Sequence, residues 1–263
     1  MDDKSQLMKN NFTSFNKKIK NVKKNFSNYY IGHTSKTFGD KQLDFYKKRL
    51  ENVRLTWCQQ VFEIIKKLNY SNPKLNDLGC NYFQFYKEIK IKKYQCDYFG
   101  YDLDKKFVSL GLAKFPELKK KHKITNIENT SLRKSDISII SDTLEITEKP
   151  EKIIKNIISS TKKVIILRTF LSSEEKVQIV KDRRYLNVPY FINCFSYNMI
   201  IEYFIKNDFF PQIYPDLATN LSQVNEIFPN VKRRFFIIVF TKKNTLLKNF
   251  KTKTYKKLFS YKD

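Results

Sequence analysis

The sequence predicts an α/β fold with a doubly wound, mostly parallel sheet, and three observations point to it. After Pro73, short apolar segments alternate with amphipathic ones, the order that right-handed crossovers build into a parallel sheet. Seven segments read as strands, near 74–78, 95–102, 122–126, 136–141, 163–169, 209–214 and 233–241. The last of them, Arg234 to Phe240, follows a long polar connection from Pro215 to Lys232, which leaves room for it to enter antiparallel.

The elements follow in chain order. Residues 1–38 are polar and basic without sustained periodicity, and they read as a loosely ordered arm. From Asp40, a good N-cap, Leu43, Tyr46, Leu50, Val53, Trp57, Val61, Ile64 and Leu68 recur at steps of three and four. This predicts a helical extension over 39–72, one long helix or two in tandem. The α/β domain proper spans 73–242, and 243–263 is a basic tail. Within the domain, Ile153, Ile154, Ile157 and Ile158 follow Pro150 in a first helical turn, and Ile200, Ile201, Phe204 and Ile205 follow Ser196 as cap.

Composition narrows the function classes. With 23 Phe and 16 Tyr in 263 residues the chain can pack a core, and no apolar run nears the roughly 20 residues of a membrane span. Met1-Asp2-Asp3-Lys4 leads into polar residues rather than a signal-like apolar stretch, so a cytoplasmic location is expected. Cys58, Cys80, Cys96 and Cys194 form no Cys-x-x-Cys pair and have only two histidines to help them, which argues against a metal site. The net charge of +25 is spread over nearly every segment with abundant Asn and Ile, a compositional bias rather than the clustered footprint of a nucleic-acid partner.

Open α/β sheets bind ligands at the carboxyl ends of their strands. Leu75-Asn76-Asp77-Leu78-Gly79-Cys80-Asn81 is a strand running into an acid, a glycine and a helix start. Gly79 would let backbone approach a ligand closely, and Asp77 would orient an ammonium group. Cys80 reads as a small neutral filler of this turn. About twenty residues on, Tyr98-Phe99-Gly100-Tyr101-Asp102-Leu103-Asp104 ends a second strand with a carboxylate suited to ribose hydroxyls. Asp104 caps the next helix, which leaves Asp102 as the ligand candidate. A dinucleotide site would need three glycines, and Asn81 and Gln84 stand at the second and third positions, so a ligand without phosphates is expected.

Asp77-Leu78-Gly79-Cys80-Asn81 resembles the first motif of class I S-adenosylmethionine-dependent methyltransferases, and Gly100-Tyr101-Asp102-Leu103-Asp104 their second. Ser135 to Glu145, with Pro150 after it, is similar to their fourth-strand motif, so the resemblance covers about 72–241. Within the superfamily, Lys163–Phe170 and Tyr190–Phe210 most resemble bacterial methyltransferases of polysaccharide and glycan biosynthesis. The resemblance implies a Rossmann-like seven-stranded sheet with its last strand antiparallel. S-adenosylmethionine would be the cofactor, and the acceptor a small molecule, a sugar or glycan precursor hydroxyl. It places the methionine end of the cofactor on Asp77, Gly79 and Asn81, the ribose on Asp102 and the adenine amine on Asn126. Ser141, Asp142 and Thr143 would line the pocket below the sulfonium. The sequence departs from the family in lacking a second glycine, where Asn81, Tyr82 and Phe83 stand, and in carrying Ile146 where a histidine often follows Leu-Glu.

For the chemistry, Glu145, Asp142 and His33 are the candidate bases, while His122, inside a lysine run, reads as structural. Arg168 at the end of the fifth strand, with Tyr190, would bind the acceptor, and its planar fork favours an anionic one. Two other classes compete. An RNA or DNA methyltransferase would carry Asn/Asp-Pro-Pro-aromatic where Ser141-Asp142-Thr143-Leu144 stands, and a non-catalytic binding protein could keep the fold with a degenerate cofactor site. Nothing in the sequence fixes the oligomeric state.

Overall fold

The computed structural model describes residues 3–24, 40–180, 189–220, 225–228 and 231–242. Its sheet contains all seven expected strands: β1 (Lys74–Leu78), β2 (Asp97–Asp102), β3 (His122–Ile124), β4 (Ser135–Ser141), β5 (Thr161–Ser172), β8 (Phe209–Pro215) and β10 (Val231–Lys242). They lie in the order β3-β2-β1-β4-β5-β10-β8. β1 to β5 pair in parallel, and β10 runs antiparallel between β5 and β8. The fold is therefore the expected Rossmann-like one.

The central strands are buried on both faces, and their side chains alternate between two cores. On β5, Ile165 and Leu167 enter one core, and Val164 and Ile166 the other. The second core is closed by α3 (Thr56–Lys67), α4 (Gln84–Ile91) and α5 (Lys105–Lys114), and the first by α6 (Pro150–Ser160) and α7 (Tyr197–Ile205). The helical extension is two helices in tandem, α2 (Asp40–Asn52) and α3. Asp104 accepts the Lys106 and Phe107 N–H groups as cap of α5, and Ser196 accepts the Met199 N–H as cap of α7.

One expectation is corrected, and three strands are added to the seven expected. Within the supposed loose arm, Asp3–Lys24 is a 22-residue helix, α1. Phe12, Phe15 and Ile19, spaced as one helical stripe, bury in the first core, with Phe12 edge-on to Tyr203 and Phe15 against Phe195. The dense Lys and Asn between them hide the stripe in the sequence. The connection after β5 carries strands beyond the seven expected. It forms a hairpin of β6 (Lys176–Val180) and β7 (Tyr190–Ser196), and β7 pairs with the end of β5 at Leu171–Phe195 and Ser172–Ser196. A short β9 (Asn225–Phe228) adds to β10.

At the amino ends of the strands the polar groups close on one another. Arg133 donates to Asn76 Oδ1 (2.9 Å), Asp97 Oδ2 (2.8 Å) and the Leu75 carbonyl (3.0 Å), and the Asn76 amide donates back to the Arg133 carbonyl (2.8 Å). The buried hydroxyls of Ser135, Ser138 and Thr161 form a chain beside it. No described helix is long and apolar enough to cross a membrane.

Candidate functional site

A cavity of about 540 Å³ opens at the carboxyl ends of β1, β2, β4 and β5, where the doubly wound topology places ligands. Asp77, Gly79, Asn81, Asp102, Asn126, Ser141, Asp142, Thr143, Glu145, Arg168 and Tyr190, all expected at the site, line it. His33 lies outside the described residues. His122 sits on β3, its Nδ1 2.9 Å from the Leu118 carbonyl, and is not part of the lining.

One half of the cavity is built by stitching the β1 turn to the end of β2. The N–H groups of Gly79 and Cys80 both donate to the Tyr101 carbonyl, at 2.8 and 3.0 Å. The Asn81 N–H donates to Asp102 Oδ2 at 2.6 Å, and Asp102 Oδ1 accepts the Asp104 N–H at 2.9 Å. Gly79 and Asn81 both have positive φ, +74° and +53°, which the tight turn requires. Burial pushes the Asp77 carboxyl up to about 7 even though the Tyr98 hydroxyl donates to it at 2.7 Å. Burial likewise lifts Asp102 to about 6, with the backbone N–H groups pulling the other way. Neither carboxyl has an ion-pair partner among the described residues.

Two details differ from the sequence expectation. A Cβ on Gly79 would lie 2.1 Å from Thr143 Oγ1, so the room that glycine leaves is filled by the Thr143 side chain, not kept for a ligand. Thr143 is held there by its hydroxyl donating to the Ser141 carbonyl. Asn126 stands two residues beyond β3, and its amide oxygen already accepts the Glu128 N–H at 2.9 Å, leaving one lone pair toward the cavity wall.

The other half lies over β4, β5 and the hairpin, and here Arg168 is the main correction. Its Nε and Nη2 donate to the two oxygens of buried Asp216, at 3.0 and 2.9 Å, and its Nη1 pairs with Asp142. Burial opposes its charge, yet the two carboxylates hold it more firmly protonated than usual. Its fork is thus spent inside the protein, and it is not the free anion-binding group expected. Asp142, held by Arg168 in a left-handed backbone conformation (φ +50°), is correspondingly not a free base.

Glu145 is different. It is 3% exposed, and among the described residues neither carboxyl oxygen has a hydrogen-bond partner. Burial, with neighbouring Asp142 adding to it, pushes its carboxyl up to about 8.

Sequence reasoning missed several lining residues. Tyr46, Arg49 and Trp57 reach the cavity from the helical extension, where periodicity had assigned Tyr46 and Trp57 to helix packing. Arg233, at the start of β10, lies with its guanidinium over the Phe170 ring at 3.8 Å. Its only sequence signal was the run Lys232-Arg233-Arg234, which merges with the general lysine bias. Among the described residues no three His, Cys, Asp or Glu side chains group as metal ligands, and all four cysteines are free thiols.

A model of the methionine biosynthesis protein MetW family matches residues 59–175. Solved structures share the fold. A SAM-dependent methyltransferase from Methanosarcina mazei is 15% identical, with 68% of this chain and 96% of that one covered at a TM-score of 0.52. An S-adenosylmethionine-dependent methyltransferase from Clostridium acetobutylicum ATCC 824 is 14% identical, covering 75% and 97% at 0.52. A putative S-adenosylmethionine-dependent methyltransferase from Listeria monocytogenes is 13% identical, covering 71% and 98% at 0.53. No curated protein sequence matches the chain significantly. The chain thus has the fold of S-adenosylmethionine-dependent methyltransferases.

Proposed function

We propose that the protein binds S-adenosylmethionine in this cavity and methylates a small-molecule acceptor. The observation that carries this reading is the pair of carboxyls at the ends of β1 and β2, buried Asp77 and half-buried Asp102, neither of which has an ion-pair partner among the described residues. Burial penalises their ionisation, so a ligand bringing an ammonium group and hydroxyl donors relieves both. S-adenosylmethionine offers that set of groups. Asp77 would take its ammonium, Asp102 its ribose hydroxyls, Arg49 its carboxylate, and Asn126 its adenine amine.

When bound, the cofactor supplies a methyl carbon on a sulfonium, so that transfer forms a carbon bond to the acceptor heteroatom, breaks the carbon–sulfur bond and leaves a neutral thioether. The chain's own contribution is alignment and water exclusion, which supply on the order of 7 to 11 kcal/mol in such displacements. Glu145 is the residue that takes the acceptor's O–H or N–H proton, since its carboxyl is unpartnered and titrates near neutrality. Asp142 acts by holding Arg168 against the cavity wall. A sugar or glycan-precursor hydroxyl as acceptor rests on the sequence resemblance.

Isothermal titration with S-adenosylhomocysteine tests the reading. The wild type should bind, and Asp102→Ala should weaken binding by about 1 to 3 kcal/mol with the melting profile recorded alongside. Absence of binding by the folded wild-type protein would sink the proposal.

A further inference from the structure

Among the described residues, two side chains of the acceptor half hold buried polar atoms without a hydrogen-bond partner. Arg233 Nη1 is buried without a hydrogen-bond acceptor, and its guanidinium makes no ion pair among the described residues. Both oxygens of Glu145 are in the same condition. Each lines the same cavity, and each feels the other's charge without pairing with it. Buried donors and acceptors are nearly always satisfied, so a guanidinium N–H and a carboxyl group left unsatisfied on one cavity mark where a ligand supplies the missing atoms.

The neighbouring residues narrow what that ligand is. Arg168, the other arginine of this wall, is consumed by Asp216 and Asp142, which leaves Arg233 as the guanidinium available. Phe170 under Arg233 fixes the plane of its fork, and Phe235 and Tyr190 extend the apolar wall beside it. A carboxylate matches the single charge of one guanidinium through two parallel hydrogen bonds. A phosphate dianion would set a second negative charge beside Asp142 and Glu145 with no cation left to meet it.

We propose, resting on the methyl-transfer reading, that Arg233 and Glu145 form the acceptor subsite for a small hydroxy acid. Arg233 holds the carboxylate, the aromatic wall holds the body, and the hydroxyl donates to Glu145. The hydroxyl proton then has Glu145 as its destination when the oxygen is methylated. The anionic-acceptor expectation thereby moves from Arg168 to Arg233.

The test uses full-length protein and two matched pairs of probes, 3-hydroxybenzoate with 3-hydroxybenzamide and glucuronate with glucuronamide. Binding is followed by ligand-observed NMR and calorimetry in saturating S-adenosylhomocysteine. At least one acid should bind about tenfold or more tighter than its amide, and Arg233→Gln should abolish that preference while S-adenosylhomocysteine affinity stays as in the wild type. The pair that responds tells an aromatic acid from a sugar acid. Equal binding of acid and amide, failure of both acids to bind, or an acid preference that survives Arg233→Gln would overturn the inference. The acid–amide comparison on the wild type needs no variant, so misfolding of Arg233→Gln would not obscure the outcome. Failure of the methyl-transfer reading shows separately, as absence of S-adenosylhomocysteine binding in the first titration.

Discussion

The two ends of the parallel strands carry similar residue types in opposite states. At the amino end, Arg133 spends its guanidinium on Asn76, Asp97 and backbone carbonyls, and three buried hydroxyls close into a chain. At the carboxyl end, Arg233 Nη1, both Glu145 oxygens and the Asn81 amide oxygen are buried without a hydrogen-bond partner among the described residues, and burial lifts Asp77, Asp102 and Glu145 toward neutrality. Both ends are built from arginine, acid and amide side chains, so composition does not separate them. What separates them is satisfaction: a closed polar network holds the fold together, and an open one awaits a ligand.

That contrast can be broken by mutation. The largest effect on the fold is expected at Asp216, where the carboxyl end carries a closed ion pair like those of the amino end. Asp216→Ala strands buried Arg168 and should cost about 3 to 5 kcal/mol in denaturant unfolding. Arg133→Met should come next, at about 2 to 3 kcal/mol, because the buried Asn76 oxygen and the carbonyl groups lose their donor. S-adenosylhomocysteine affinity should hardly change in that variant. A large loss of affinity there would show that the two ends are not independent.

Glu145→Gln should have the smallest effect and the opposite sign. The folded protein holds the Glu145 proton to about 8 against an ordinary 4.5, so its contribution to stability is full below about pH 4.5 and is lost as pH rises to about 8. Asp77 and Asp102 add the same slope at lower pH. The glutamine variant, which has no proton to lose, should melt about 2 to 4 °C higher than the wild type at pH 8 and almost together with it at pH 5. A wild-type midpoint that rises from pH 5 to pH 8, and a variant indistinguishable from it at both, would contradict the assignment of Glu145 as an unpartnered carboxyl facing Asp142, Arg168 and Arg233.

How much of this was legible in the sequence depended on how local the signal was. The central strands β4 and β5 were, because strands buried on both faces read as apolar runs, and so were the caps at Asp104 and Ser196, whose partners lie two or three residues on. The state of Arg168 was not, since its partner Asp216 is 48 residues away. The same holds for Thr143 over Gly79 and for Arg233 over Phe170, where the position of one strand decides what a side chain on another meets. Helix α1 escaped for a different reason. Its buried stripe is three residues wide in a segment otherwise crowded with lysine and asparagine.

Among the described residues the hairpin of β6 and β7 pairs with the main ladder at two register positions, Leu171–Phe195 and Ser172–Ser196, whereas β10 pairs with β5 continuously from Val164 to Leu171. The half that holds Asp77 and Asp102 is thus anchored by the continuous sheet, and the wall carrying Tyr190 and Ile192 is an appendix to it. Such an arrangement divides the labour of adaptation. Cavity-facing residues of the hairpin can be exchanged to admit a different ligand while the strand pairings that shape the turns after β1 and β2 stay in place. For anyone wishing to change what this cavity binds, Tyr190 and Ile192 are the positions to randomise, and the strands beneath them the scaffold to leave alone.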